Sequence, residues 1–204
     1  MGVGGTSYHH GDLRRALLGA AAEVVGDVGV AGLSLRAVAR RAGVSHAAPA
    51  HHFADKAALL GALAAEGHQE LTRSAERSIS AAGADPERRL AAFARGSFRF
   101  AMRRPDLFRV MFRPELVHPG DAVLRASTAA SDRLLAGVIR ECVEAGRLAP
   151  ARAEALQLGV WALIHGLAVA WLGGDAARRR AVRRSHEEAL ELFLGAVFAA
   201  CPRP

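Results

Sequence analysis

Apolar side chains recur at every third or fourth position along almost the whole chain, the repeat of an amphipathic helix rather than of a strand. Behind a Gly-rich start, Asp12 stands where a cap belongs, ahead of Leu13, Leu17, Ala20, Ala21, Val24, Val25 and Val28 on one stripe, and Gly29 supplies a stop. Ser34 is set to cap a short helix with Leu35, Val38, Ala39 and Ala42 inward and Arg36, Arg40 and Arg41 outward, closed by Gly43. Only Val44 separates that stop from a second cap, Ser45, so His46 to His52 reads as a third, very short helix. Asp55 caps a fourth, which begins at Lys56 and runs through Leu59, Leu60, Leu63, Ala64, Leu71 and Ala75.

The remainder reads as longer helices between turn signals. Asp85-Pro86 is a cap followed by proline at the first helical position, opening a helix with Leu90, Phe93, Ala94, Phe98 and Ala101 on its apolar face. Pro105 opens a shorter piece bearing Leu107, Phe108, Met111 and Phe112, and residues 113–120, with two prolines, form a loop. A helix from about Ala122 to Glu144 stops at Gly146. Pro150 precedes another that runs to Leu172, Gly173-Gly174 breaks it, and Ser185 is expected to cap a last helix from His186 to Ala200.

Composition agrees with an all-α chain: 45 alanines and 24 leucines make up a third of the 204 residues, whereas Val, Ile and Thr together number 22. A mostly β architecture is excluded. The formal charge of +7 favours polyanionic partners without locating them, since residues 1–60 carry six basic against four acidic side chains and residues 61–204 carry 21 against 16. The one dense basic run, Arg178, Arg179, Arg180, Arg183 and Arg184, reads as a solvated face, with a role in DNA binding as the lesser alternative. Cys142 and Cys201 lie 59 residues apart with no CxxC pairing, which argues against a zinc site and a disulfide framework. The start lacks the basic and apolar regions of a secretory leader, and the longest apolar run, Leu158 to Gly173, has 16 residues with His165 inside it, short of the ~20 that span a bilayer. A soluble, cytoplasmic protein without a membrane partner is expected.

Two short helices joined by a tight glycine-containing turn are the helix-turn-helix signature, whose second helix enters the DNA major groove. The turn here is Ala42-Gly43-Val44-Ser45. Small Ala39 lets the helices cross closely, Gly43 permits a left-handed backbone, and Val44 plugs the core beneath. The bland alternative is a helix corner in an α protein that never meets DNA. Residues 33–60, LSLRAVARRAGVSHAAPAHHFADKAALL, together with YHHGDLRRALL from Tyr8 to Leu18, resemble the DNA-binding domain of the TetR family of bacterial regulators over about the first 70 residues. The resemblance assigns Ser34 and Lys56 to phosphate, Ser45 to the start of the recognition helix, and His46, Ala47, Ala48 and His51 to the groove; Arg36 and His52 complete the DNA-facing set. His52 and Phe53 match the family's His-Phe pair, with Phe53 packing the core. Many members carry Tyr, a phosphate ligand, where this chain has Ala50, which leaves His51 or His52 to supply part of that anchoring. Pro49 fits only if it lies in the first turn of its helix. Of the five histidines in the first 52 residues, His51 and His52 are adjacent, so their rings point about 100° apart on a helix and joint metal chelation is disfavoured. No metal or cofactor is expected.

Beyond residue 71, Trp161, His165 and Gly166 form a W-x-x-x-H-G pattern similar to the C-terminal domain of one TetR subfamily, supported by RRPDLFRVMF at 103–112. The resemblance implies a homodimer and a pocket for an unidentified small-molecule effector, to which Phe93, Phe98, Phe108, Met111, Phe112, Trp161 and His165 are assigned. An equally physical alternative has Trp161 and His165, four apart on one helix face, simply packing in a core or an interface. The nearly continuous apolar surfaces around 151–172 and 185–200 point to the dimer contact, with Leu163, Leu167, Trp171, Leu192 and Phe193 as candidates.

The expected architecture is therefore all-α. A flexible arm (1–10) precedes a three-helix DNA-binding domain (11–71, with its helix-turn-helix at 34–53) and a helical bundle for dimerisation and effector binding (72–204). The expected activity is that of a transcription regulator, by family default a repressor, released from a palindromic double-stranded operator by its effector. The rivals are an all-α enzyme with a histidine-based site at His165, for which the chain offers no phosphate loop, metal-ligand motif or nucleophile elbow, and a DNA-binding protein without an effector.

Overall fold

The computed structural model describes residues 10–200, so the start of the expected arm and Cys201 lie outside the described residues, as does the side chain of Asp12. Eight α-helices follow one another, with no strand among the described residues: α1 (His10–Val28), α2 (Leu35–Ala42), α3 (Lys56–Ser80), α4 (Pro86–Arg103), α5 (Pro105–Met111), α6 (Ala122–Glu144), α7 (Ala153–Leu172) and α8 (Ala176–Ala199). Short 3-10 turns cover Ala48–His51, Pro114–Leu116 and Pro150–Arg152.

Three boundaries differ from the sequence reading. α1 starts at His10, ahead of Asp12, so that residue lies inside the first turn rather than before it. The expected third helix, His46 to His52, is reduced to the single 3-10 turn Ala48–His51, because Pro49 has no N–H to give an α-helical ladder and too few residues follow it to build one. Ser185 does not cap the last helix: α8 begins at Ala176, where Asp175 accepts the Arg178 amide at 2.8 Å, and the Ala- and Arg-rich stretch before Ser185 continues as helix.

The chain forms two compact units: residues up to 67 with 106–125, and 68–105 with the chain from 126 onward. This division departs from a simple cut at residue 71, because α5 and the start of α6 belong with the first unit. In that unit α1 buries Leu17, Ala21 and Val25, α2 buries Val38 and Ala39, and α3 buries Leu59, Leu60 and Leu63. Val28, expected on the buried stripe, is 62% exposed at the end of α1.

The second unit is built around Leu90, Phe93 and Ala94 of α4, Leu135, Val138 and Ile139 of α6, Leu156, Val160 and Ile164 of α7, and Leu190, Leu194 and Phe198 of α8. Cys142 lies in this core, and burial pushes its thiol up to about 11, leaving it an inert small apolar group. A polar seam joins α3 to α6, with Thr72 Oγ1 2.9 Å from Ser131 Oγ and Gln69 Nε2 donating to Ser127 Oγ at 3.3 Å. Half-buried ion pairs, Arg89 with Glu141 at 2.6 Å and Arg147 with Glu87, tie α4 to α6 and its following turn. The stretch Pro150–Leu172 is long and apolar enough, by length and composition, to cross a membrane, but it packs one side against α4 and α8.

α4 crosses α3 where Gly96 faces Ser74, Ala75 and Ser78: a Cβ there would sit 3.0 Å from backbone atoms of Ala75 and Ser74, and Ser74 Oγ donates to the Gly96 carbonyl at 3.0 Å. By contrast, a Cβ at exposed Gly19 in mid-α1 would meet nothing within 4 Å. Gly96→Ala should therefore lower stability by about 1–3 kcal/mol through overpacking, and Gly19→Ala should raise it by about 0.5–1 kcal/mol through helix propensity. Denaturant unfolding of both variants checks the opposite signs.

Candidate nucleic-acid interface

The recognition unit is assembled from two caps and one glycine. Ser34, in extended backbone, accepts the Ala37 amide on its Oγ at 3.1 Å and so starts α2, leaving its hydroxyl proton at the surface. α2 ends where Gly43 takes φ of 68°, and the Val44 amide then donates to the Ala39 carbonyl at 3.0 Å. Ala39 is fully buried, as the close crossing of α1 and α2 requires.

From Ser45 the chain turns through consecutive short bonds: Ala48 N to Ser45 O at 3.0 Å, Ala50 N to Ala47 O at 3.1 Å, and Phe53 N to Pro49 O at 2.9 Å. The position ahead of the turn is Ala47, which brings no side-chain cap, so Ser45 starts the segment through its carbonyl rather than its hydroxyl. Pro49 and Phe53 point into the unit and are buried, while His46, Ala47, Ala50 and His51 are exposed and Ala48 and His52 half-buried. Arg14 of α1 covers Phe53, its guanidinium 5.4 Å from the ring centre. The turn is thus pinned from below, with His46, Ala47, Ala50 and His51 exposed above.

Asp55 starts α3 by accepting the Ala58 amide at 2.8 Å, and His118 Nε2 lies 2.9 Å from both of its oxygens. The amide first and the imidazole second hold the Asp55 carboxyl below the usual carboxylate range. Lys56, next in the chain, is half-buried and donates from Nζ to the Ala31 carbonyl at 3.2 Å. On α2, Arg36 and Arg40 are exposed, whereas Arg41 is engaged with Asp27 at 2.5 Å and Glu23 at 3.0 Å, which raise its pKa further. Ser34, Arg36, Ser45, His46, Ala47 and His51 therefore share solvent exposure around one turn. Sequence reasoning missed the His118–Asp55 and Arg14–Phe53 contacts. They join positions 63 and 39 residues apart, and no local spacing signals them.

The remaining candidates scatter. Phe93 and Phe98 are buried in the second unit, where Phe98 lies against His186 in a tilted arrangement with ring centres 4.6 Å apart. Phe108 and Met111 are buried in the first unit, where Phe108 lies 4.9 Å from the half-buried Phe112 ring. Trp161 and His165 are brought together, 5.0 Å apart with 11° between their planes. Of the dimer candidates, Leu163, Leu167 and Phe193 are half-buried against the core of the second unit, Trp171 lies under Arg179, and Leu192 alone is widely exposed, at 68%.

A capped helix, a left-handed glycine turn and an exposed second turn, set on α1 and α3, define a helix-turn-helix DNA-binding protein. The family profile described as "Bacterial regulatory proteins, tetR family" matches residues 17–63, and that described as "Tetracyclin repressor-like, C-terminal domain" matches residues 90–196. The HTH-type transcriptional regulator BetI of Stenotrophomonas maltophilia (strain R551-3) is 30% identical over 171 residues, covering 79% of this chain and 81% of the relative. A solved structure from Rhodococcus sp. RHA1, of a protein described as of unknown function, is 33% identical with a TM-score of 0.79 over 97% of this chain and 99% of its own. The TetR family regulator PfmR from Thermus thermophilus shares the fold at 21% identity, TM-score 0.68, over 86% of this chain and 97% of its own. The chain belongs to the TetR family of bacterial transcriptional regulators.

Gly43→Ala should show how far the interface depends on that one backbone angle. No atom lies within 4 Å of the added methyl, so the cost is conformational, about 1–2 kcal/mol. Thermal unfolding should report the loss, and DNA affinity should fall with it.

Proposed function

We propose that the regulator works as a homodimeric repressor, gripping a palindromic operator with one recognition turn from each subunit and releasing it when a small effector binds. The observation that carries the dimer is an apolar stripe left uncovered in the second unit. Leu158 (64% exposed), Trp161 (44%) and Val169 (51%) lie along one side of α7, and Leu192 (68%) stands on α8, the helix packed against it. Leu156, Val160, Ile164 and Ala168 occupy the opposite side of α7, in the core or buried beside it. A helix apolar on both sides, with one side already packed on its own unit, is what a second subunit would cover. This supports a partner subunit rather than lipid on α7, in keeping with a cytoplasmic DNA-binding protein.

Palindromy follows from the two-fold axis, which repeats one half-site. The effector reading rests on the family's domain organisation and on the second unit's aromatic residues. It gains support from Ser97, whose hydroxyl is buried and has no hydrogen-bond partner among the described residues, a group that a polar ligand atom would satisfy. The parallel stack of His165 on Trp161 favours a packing role for this histidine over a catalytic one.

Selection from random duplexes should enrich a palindrome; an unenriched pool would overturn the operator reading. His51→Ala should change which bases are preferred, while Arg36→Gln should weaken binding to all sequences alike. Leu192→Arg, at an exposed position that leaves the monomer's core intact, should give a folded monomer in sedimentation velocity and operator affinity reduced by at least tenfold.

His165 supplies a pH test. Burial lowers its pKa, so the folded state favours the neutral imidazole. Its contribution to stability is then complete above the ordinary histidine value of about 6.5 and is lost as pH falls from there toward the lowered folded value. The wild-type unfolding temperature should fall more steeply than that of His165→Gln between pH 7 and pH 5, and parallel curves would remove His165 from the balance.

A further inference from the structure

We propose that the first half of α8 is a second nucleic-acid surface, which holds the phosphate backbone of duplex DNA without reading sequence. Arg178, Arg179, Arg180, Arg183 and Arg184 all fall within the first nine residues of the helix, and all five are exposed. Because the run is helical, Arg179 and Arg183 follow one ridge and Arg180 and Arg184 the next, one turn apart. From Arg178 to Arg184 the helix advances about 9 Å, and projected on the duplex axis one strand presents a phosphate about every 3.4 Å, so about two or three fall within that length.

The charges are not spent within the protein. No ion pair joins any of the five to a carboxylate among the described residues: Asp175 is used as the cap of α8, and Glu187 faces His186 at 4.0 Å. Arg179 lies 5.8 Å over the Trp171 ring, which steadies one edge of the patch. A row of planar, permanently charged guanidinium groups fits phosphate oxygens in bidentate fashion. Lipid is the weaker match, because the residues before and between the arginines are Ala176, Ala177, Ala181 and half-buried Val182, with no large exposed apolar side chain to enter a membrane surface. The surface lies wholly in the second unit and does not depend on the operator reading.

The test is the salt dependence of full-length protein binding to a short random-sequence duplex, followed by fluorescence anisotropy. R180Q/R183Q/R184Q should reduce the slope of log affinity against log salt by about two to three, since each phosphate contact contributes about 0.9. R88Q/R133Q/R140Q, which removes the same charge from exposed positions elsewhere in the unit, should leave the slope near wild type. Both variants should keep any operator preference and the helical circular dichroism of wild type, which separates failure of this surface from failure of the recognition turn. Equal slopes in the two variants, whether both lowered or both unchanged, would overturn the proposal. So would an unchanged DNA slope accompanied by loss of wild-type binding to phosphatidylserine vesicles, which would assign the patch to lipid.

Discussion

The packing around α3 depends on close approach, and glycine stands at the tightest points. A Cβ at Gly61 would sit 2.6 Å from Asp121 Oδ2, and one at Gly67 would sit 2.6 Å from Met111 Cγ and Sδ. These two positions let the segment 106–125 lie directly on the amino-terminal half of α3, which is why it belongs to the first unit although it is remote from it in sequence. Gly96 does the same for α4 on the carboxy-terminal half. Interiors of this density transmit small displacements instead of absorbing them. His118, carried by the 106–125 segment, rests on Asp55, the residue that both ends the recognition segment and starts α3.

The recognition segment is short, and its rigidity comes from its supports. One 3-10 turn contains too few hydrogen bonds to hold a shape alone. Buried Pro49 and Phe53 fasten its underside, Arg14 closes over Phe53, and the Asp55 cap fixes the point where the chain leaves. With Ala at positions 47, 48 and 50, the outer surface of the turn is low and the exposed histidines at 46 and 51 are its tallest features.

In the second unit, α7 and α8 expose two different kinds of surface. The carboxy-terminal part of α8 packs Leu190, Leu194 and Phe198 into the core, and the stripe through Leu158, Trp161, Val169 and Leu192 is left uncovered. The amino-terminal part of α8 carries the arginines. Apolar and cationic surfaces are thus separated along one continuous helix, which exists as one helix because Asp175, rather than Ser185, caps it.

The local chemistry was legible in the sequence. Ser34, Asp55 and Asp85 cap helices where their spacing predicted, Gly43 and Gly146 end them in left-handed conformations, and the buried faces of α2 and α4 follow the 3.6-residue repeat. Caps and stops act within four residues, so a linear reading captures them. The tertiary structure was needed for every choice between locally equal options. Asp175 and Ser185 are both adequate caps, and the helix starts at the first of them. Leu163 and Leu192 are both leucines on apolar helices, yet one packs on the core and the other faces out, because the orientation of a helix about its own axis is set by its neighbours. Likewise His118 meets Asp55, and Arg14 covers Phe53, only because chain segments distant in sequence converge. Burial and long-range pairing are properties of the packed chain, and the sequence determined the helices that were there to be packed.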